Sequence, residues 1–163
     1  MKGIKTLVSF TAMAVCLGAA SMVNAATITS PAAGSSFSAP GTITVSSPAS
    51  GNIPVQCNIT FSGTVASDSK TASITNASVS GSNFLCGIPV MQNLPWTLTP
   101  TSTTTATVSG VSFKILSNCG TANILTNYGG GALTLSSSPQ SVGTCKITQL
   151  SVSPSPTFVI TNP

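Results

Sequence analysis

The chain of 163 residues carries five lysines and one acidic side chain, Asp68, with no arginine, glutamate or histidine, for a formal net charge of +4. That inventory excludes hydrolysis by paired carboxylates, histidine-activated nucleophiles and any metal centre built on imidazole, so no catalytic residue, metal or cofactor is expected. Lys70, Lys114 and Lys146 are too scattered to track a phosphate backbone, which excludes nucleic acid as a partner.

The first segment, MKGIKTLVSFTAMAVCLGAASMVNA, reads as a signal peptide over residues 1–25. Lys2 and Lys5 form its positive start, an uncharged and mostly apolar run follows to Val23, and Val23-Asn24-Ala25 ends it. Cleavage is expected between Ala25 and Ala26. An uncleaved membrane anchor is the rival reading, weakened by Gly18, Ser21 and Asn24. Cys16 follows Val15 rather than a small residue, so it belongs to the apolar run and not to a lipid-attachment site. Residues 26–163 are then one exported domain without a transmembrane anchor, in which three lysines against Asp68 leave a charge of +2.

Beyond residue 25 the apolar residues alternate and turn clusters separate them. TITV (42–45) is a first candidate strand. In VQCNITF (55–61), Val55, Cys57, Ile59 and Phe61 share one face while Gln56, Asn58 and Thr60 share the other, which predicts a half-buried strand with Cys57 inward. ASDSK reads as a turn in which Asp68 bonds its own backbone. ASIT (72–75) follows, and then NLPWTL around Trp96, the only tryptophan.

In TPTSTTTATV (99–108) the threonines fit exposed strand positions better than a flat ligand-binding array. Ala106 and Val108 share one parity and Val111, Phe113 and Ile115 the other, which predicts a β-bulge at Gly110. YGGG (128–131) reads as a hairpin tip and ALTL (132–135) as the strand leaving it. The parity slips again between Cys145 and Ile147 on one side and Leu150 and Val152 on the other, and TFVIT (157–161) ends the series. Many short strands of this kind predict an all-β domain, an antiparallel β-sandwich or a partly closed β-barrel.

Four cysteines remain after cleavage, Cys57, Cys86, Cys119 and Cys145, and an even number in an exported chain predicts two disulfides. Three connectivities exist. Cys57–Cys86 and Cys119–Cys145 are preferred as nearest in sequence, and the echo of CNIT in CKIT supports a strand cysteine in each bridge. A Ser112–Lys114 dyad is the one nucleophilic arrangement available, but both share a parity expected to face solvent. Trp96 and Tyr128 are the candidate partner contacts, although a lone tryptophan is more commonly a core residue. A weakly charged β surface suits association rather than turnover.

The segments ATITSPAAGSSFSAPGTITV, VQCNITFSGTV and NLPWTL, with Cys119-Gly120 and the last cysteine strand, resemble a bacterial family. This is the secreted activators of alkane oxidation of the PraA/PraB type, and the resemblance covers most of residues 26–150. It implies an exported, hydrophobic surface or biofilm-matrix protein. Such a protein would act in adhesion, self-association or contact with other matrix components, apolar surfaces and hydrocarbons, with no catalytic residues to carry over. A second resemblance, to chaperone–usher pilins, rests on PTFVITNP and the Thr/Ala/Gly-rich composition. It implies a self-assembling fimbrial subunit that donates a strand to its neighbour. The mature start, ATITSPAAGSSF, departs from that pattern with Pro31 and few large alternating residues.

Overall fold

The computed structural model describes residues 26–162, in which the regular structure is all strand apart from two short 3-10 turns. The first strands are β1 (Thr27–Ser30), β2 (Ser36–Ser46), β3 (Val55–Val65), β4 (Ala72–Ser80), β5 (Val90–Gln92) and β6 (Trp96–Pro100). They are followed by β7 (Thr105–Ile115), β8 (Ser117–Gly129), β9 (Ala132–Leu135), β10 (Gln140–Val142), β11 (Cys145–Val152) and β12 (Val159–Thr161). The 3-10 turns, Pro48–Ser50 and Phe84–Gly87, precede β3 and β5.

The alternation in the sequence sets the inner and outer faces. On β3, Cys57, Ile59, Gly63 and Val65 are buried while Gln56, Asn58 and Thr64 are exposed. On β8, Ile124, Thr126 and Tyr128 point inward between exposed Asn123, Leu125 and Asn127. The all-β, antiparallel, twice-bridged architecture expected from sequence is present, and its closure is complete. Hydrogen bonding runs β11–β2–β3–β4–β6–β7–β8–β9 and returns to β11, an eight-stranded barrel in which β5 extends the β6 edge along β7 and β10 extends the β9 edge along β11. Eight strands enclose an interior just wide enough for side chains or one small ligand.

The returning seam is short. β9 meets β11 only at Ser151↔Thr134 and Val152↔Leu133. Above it β9 does not reach, and other groups bridge β8 to the β10–β11 hairpin. The Gln140 carboxamide donates to the Leu125 carbonyl at 2.7 Å and accepts from the Leu125 N–H at 2.8 Å. Thr144 N–H donates to the Cys119 carbonyl at 2.8 Å, and Cys119–Cys145 joins the two sides covalently.

The predicted bulge lies at Gly110, where the register slips between Val108 and Val111 and φ is +78°. The second slip falls between Ile147 and Gln149 of β11. Gly41 allows a close crossing: a Cβ there would run into the Ser151 carbonyl and Val152 of β11. YGGG is the β8–β9 hairpin tip, with Gly130 and Gly131 both at positive φ. Asp68 shapes its turn as expected, its carboxylate accepting from the Lys70 N–H at 2.9 Å.

The two ends of the barrel differ. The turns after β3, β6 and β8 share one end with the β1–β12 ribbon, which lies across it. Ile28 N–H donates to the Ser69 carbonyl there, and Ser38 and Ser155 pair by backbone bonds. Beneath the ribbon Phe37 meets Phe158 edge-on at 5.0 Å, with Ile28, Val65, Leu98 and Ile160 packed around them in the buried core. This end is shut. The opposite end carries both 3-10 turns and the β7–β8 and β10–β11 hairpins.

Candidate functional site

The inward side chains of the open half do not fill it. They enclose a chamber of about 70 Å³, counted as room for the centres of water-sized spheres. Its wall is aliphatic and aromatic: Ile43, Ile59, Phe61, Val111, Phe113 and Ile124 come from four different strands. The segment between β4 and β6 lies over the mouth and contributes Leu85, Pro89 and Met91. Cys57–Cys86 ties that segment to β3, with a Cα separation of 5.6 Å. Its far side is held by the pairing of β5 with β7 from Val90↔Lys114 to Gln92↔Ser112.

The two bridges are those preferred from sequence, Cys57–Cys86 and Cys119–Cys145. Both lie in the open half, where side-chain packing is incomplete. They enclose sequence separations of 29 and 26 residues. By the chain-entropy account, loops of that size contribute about 3–4 kcal/mol each.

The polar groups at the mouth are already engaged. Ser47 and Ser50 form a reciprocal cap on the Pro48–Ser50 turn: the Ser47 hydroxyl accepts from the Ser50 N–H, and the Ser50 hydroxyl accepts from the Ser47 N–H. The Ser50 hydroxyl also donates to the Ile53 carbonyl at 2.7 Å. No charged side chain lines the chamber among the described residues. Lys114 and Lys146 belong to strands nearby but point outward.

Around the mouth stand apolar side chains turned to solvent. Phe84 is 77% exposed, Leu116 72%, Ile53 67% and Val90 48%. All four belong to the connections and short strand of the open end. The barrel's outer wall is different, with Gln56, Asn58, Thr64, Asn123 and Asn127 exposed along β3 and β8. That wall is the reverse of a membrane-spanning barrel, whose lipid-facing band is apolar.

Trp96 and Tyr128, the candidate partner contacts, are both buried, at 2% and 8% exposure. Neither can meet a partner on the outer surface, because each has the inward parity of its strand. Trp96 instead forms part of the chamber wall. Its indole N–H donates to the Gln92 carbonyl at 2.8 Å, and its ring meets Phe61 edge-on at 6.2 Å. Tyr128 belongs to the shut end, where its hydroxyl donates to the Phe158 carbonyl at 2.7 Å. Burial pushes its phenol above the ordinary value, a shift that the bond to Phe158 opposes.

Ser112 also corrects the expectation. It is buried and donates to the Gly120 carbonyl at 2.8 Å, whereas Lys114 is exposed. Strand β5, which pairs edge to edge with β7 at this point, falls on no segment read from the sequence as a strand. The serine and the lysine therefore do not form a shared surface dyad. The threonine-rich stretch ends in a turn whose hydroxyls bond one another, Thr101 to Thr105 and Ser102 to Thr105, both at 2.7 Å. Of the expected cleavage pair, Ala25 lies outside the described residues and Ala26 is buried beside β1.

Sequence reasoning missed the mouth. NFLCGIPVM (83–91) carries Phe84, Leu85, Ile88 and Val90 without strand alternation and is interrupted by Gly87 and Pro89. A run this apolar, with no period and with a bridged cysteine inside it, was the available signal. Among the described residues no three of His, Cys, Asp or Glu come together, and all four cysteines are bonded. The chemistry offered by the site is apolar contact.

Neither the curated proteins nor the solved structures contain a match to this chain. A family model does match, over residues 1–162, and its subject is consistent with a site made of hydrocarbon side chains. The chain belongs to the alkane oxidation protein activator family, PraA/PraB-like.

Proposed function

We propose that this chain is an exported, non-enzymatic protein of the cell surface or biofilm matrix. In this reading it raises surface hydrophobicity, supports adhesion and brings alkanes against the cell. The observation that carries the reading is the grouping at the open end of Phe84, Leu116 and Ile53, the three most exposed large apolar side chains, with Val90, whereas Leu125 on the wall and Val159 on the ribbon stand apart. Exposed apolar side chains gathered at one end of a domain mark an interaction site. Moving one large apolar side chain from water into an apolar phase is worth up to about 1.5–3 kcal/mol. Several such side chains acting together favour adsorption to an oil surface.

The low charge of the chain supports the reading, since little electrostatic repulsion opposes approach to an interface or to another copy. The same ring would hold copies of the chain, or other matrix components, rim to rim. The fimbrial alternative has no comparable support. β1 pairs with β12 of its own chain, and the barrel's hydrogen-bond circuit is closed.

The test is adsorption at a hexadecane–water interface, compared with cells that lack the protein. Wild-type protein should lower the interfacial tension, and Phe84→Ser with Leu116→Ser should weaken that effect. Deletion should reduce cell-surface hydrophobicity, attachment and growth on alkanes. Unchanged adsorption in the double variant, together with unchanged cells after deletion, would sink the proposal.

A further inference from the structure

We infer that the chamber is a binding site for a single unbranched alkane, which enters end-on between the Pro48–Ser50 turn and the Leu85–Pro89 cover. The inference rests on the proposed contact with alkanes and adds an internal site to it. About 70 Å³ of room is several times what one water needs, and a cavity walled by hydrocarbon side chains stays dry and takes apolar guests.

The shape favours a chain. The wall extends along β3 from Val55 to Phe61, which spans about 20 Å of strand. Val55, Cys57, Ile59 and Phe61 are successive inward positions of that strand in the wall, an arrangement that suits an extended methylene chain better than a ring system.

The chemistry of the wall selects against polar ends. The Ser47 hydroxyl accepts from the Ser50 N–H, the Ser50 hydroxyl serves its own turn, and no charged side chain lines the described chamber. A carboxylate drawn into the chamber would lie without a charged partner, at a large desolvation cost, which confines a fatty acid to a tail-first pose with its head at the mouth. A plain hydrocarbon leaves nothing unsatisfied. Phe84 and Val90 flank the lining residues Leu85, Pro89 and Met91 in sequence, and their exposed side chains supply an apolar approach for a water-insoluble guest.

Trp96, the only tryptophan, stands in the chamber wall and reports on occupancy. A bromoalkane such as bromooctane, added below its solubility limit, should quench Trp96 emission in a saturable way. Hexane, heptane and octane should displace it with affinity rising about fourfold per added methylene. Val79→Phe, which places a ring at the mouth, should weaken quenching by about tenfold or more, equivalent to about 1.4 kcal/mol. Val55→Phe serves the same purpose if the first variant misfolds, with circular dichroism to establish folding.

The ring variant Phe84→Ser with Leu116→Ser should keep the quenching at equilibrium. Absence of saturable quenching in protein that still adsorbs to hexadecane would overturn the internal site and leave the surface reading intact. Full quenching in a folded Val79→Phe variant would also overturn it. Equal quenching by 2-bromooctanoate, whose bromine adjoins the carboxylate, would overturn the selection against carboxylates inside the chamber.

Discussion

The two ends of this barrel are built from the same strands yet meet different requirements. At the shut end the β1–β12 ribbon, Phe37, Phe158 and Tyr128 fill the space, and Tyr128 satisfies a ribbon carbonyl while doing so. At the open end the wall residues stop short of one another, and both disulfides stand where packing is missing. The difference teaches how a small domain can keep an empty, apolar interior. Packing closes one half, and covalent bonds hold the other half apart.

The strongest way to break the comparison is to shave each end. Phe158→Ala should destabilise the fold by about 3–5 kcal/mol, because its cavity opens in a filled region. Val108→Ala in the chamber wall should cost less, about 1–2 kcal/mol, since its outer atoms already face a void. Chemical denaturation of both variants measures the contrast, and equal losses would show that the two halves are packed alike.

Next in size is removal of the bridges. Cys57→Ala with Cys86→Ala, or Cys119→Ala with Cys145→Ala, should each lower stability by about 3–4 kcal/mol. Thermal unfolding reads the loss. Hydrogen exchange should place the loosening in β3 and the Phe84–Gly87 turn for the first pair, and along β8 and β11 for the second.

A smaller effect tests the shut end alone. Tyr128→Phe leaves the Phe158 carbonyl without its donor, for a loss of about 1 kcal/mol at neutral pH. The raised phenol also links stability to alkali. The neutral form is favoured in the folded chain, so its contribution is whole below the unfolded value near 10 and falls as pH rises through the folded value. Denaturation at increasing pH should show that decline in the wild type and a shallower one in Tyr128→Phe. The smallest change expected is Asp68→Asn, within about 0.5 kcal/mol, because an amide oxygen can still accept from the Lys70 N–H in an exposed turn.

How much of this was legible depended on whether the signal was local. Alternation on β3, the slip at Gly110 and the YGGG hairpin each follow from a few neighbouring residues, and each is present. The disulfides were readable because each joins the cysteines nearest in sequence, β3 to the Phe84–Gly87 turn and β8 to β11. Closure was not readable. It rests on a contact between Leu133 and Val152, which no local pattern encodes.

The chamber was invisible for a related reason. An inward Val or Ile has the same sequence signature whether it meets a neighbour or borders a void. Ser112 was misplaced because strand parity alone cannot reveal its bond to the Gly120 carbonyl, and Trp96 because its partners are inside the barrel.

The short return of β9 to β11 has one more consequence. A closed barrel has no edge for other strands to join, so any transient edge must arise where the circuit is held by fewest bonds. That place is the line between Leu125 and Gln140, where a single carboxamide stands in for a strand. Local opening there would uncover unpaired backbone on β8 without disturbing the aromatic plug at the far end. The weakest stitch in the barrel thus sets where the protein is most exposed to accidental strand pairing at high density.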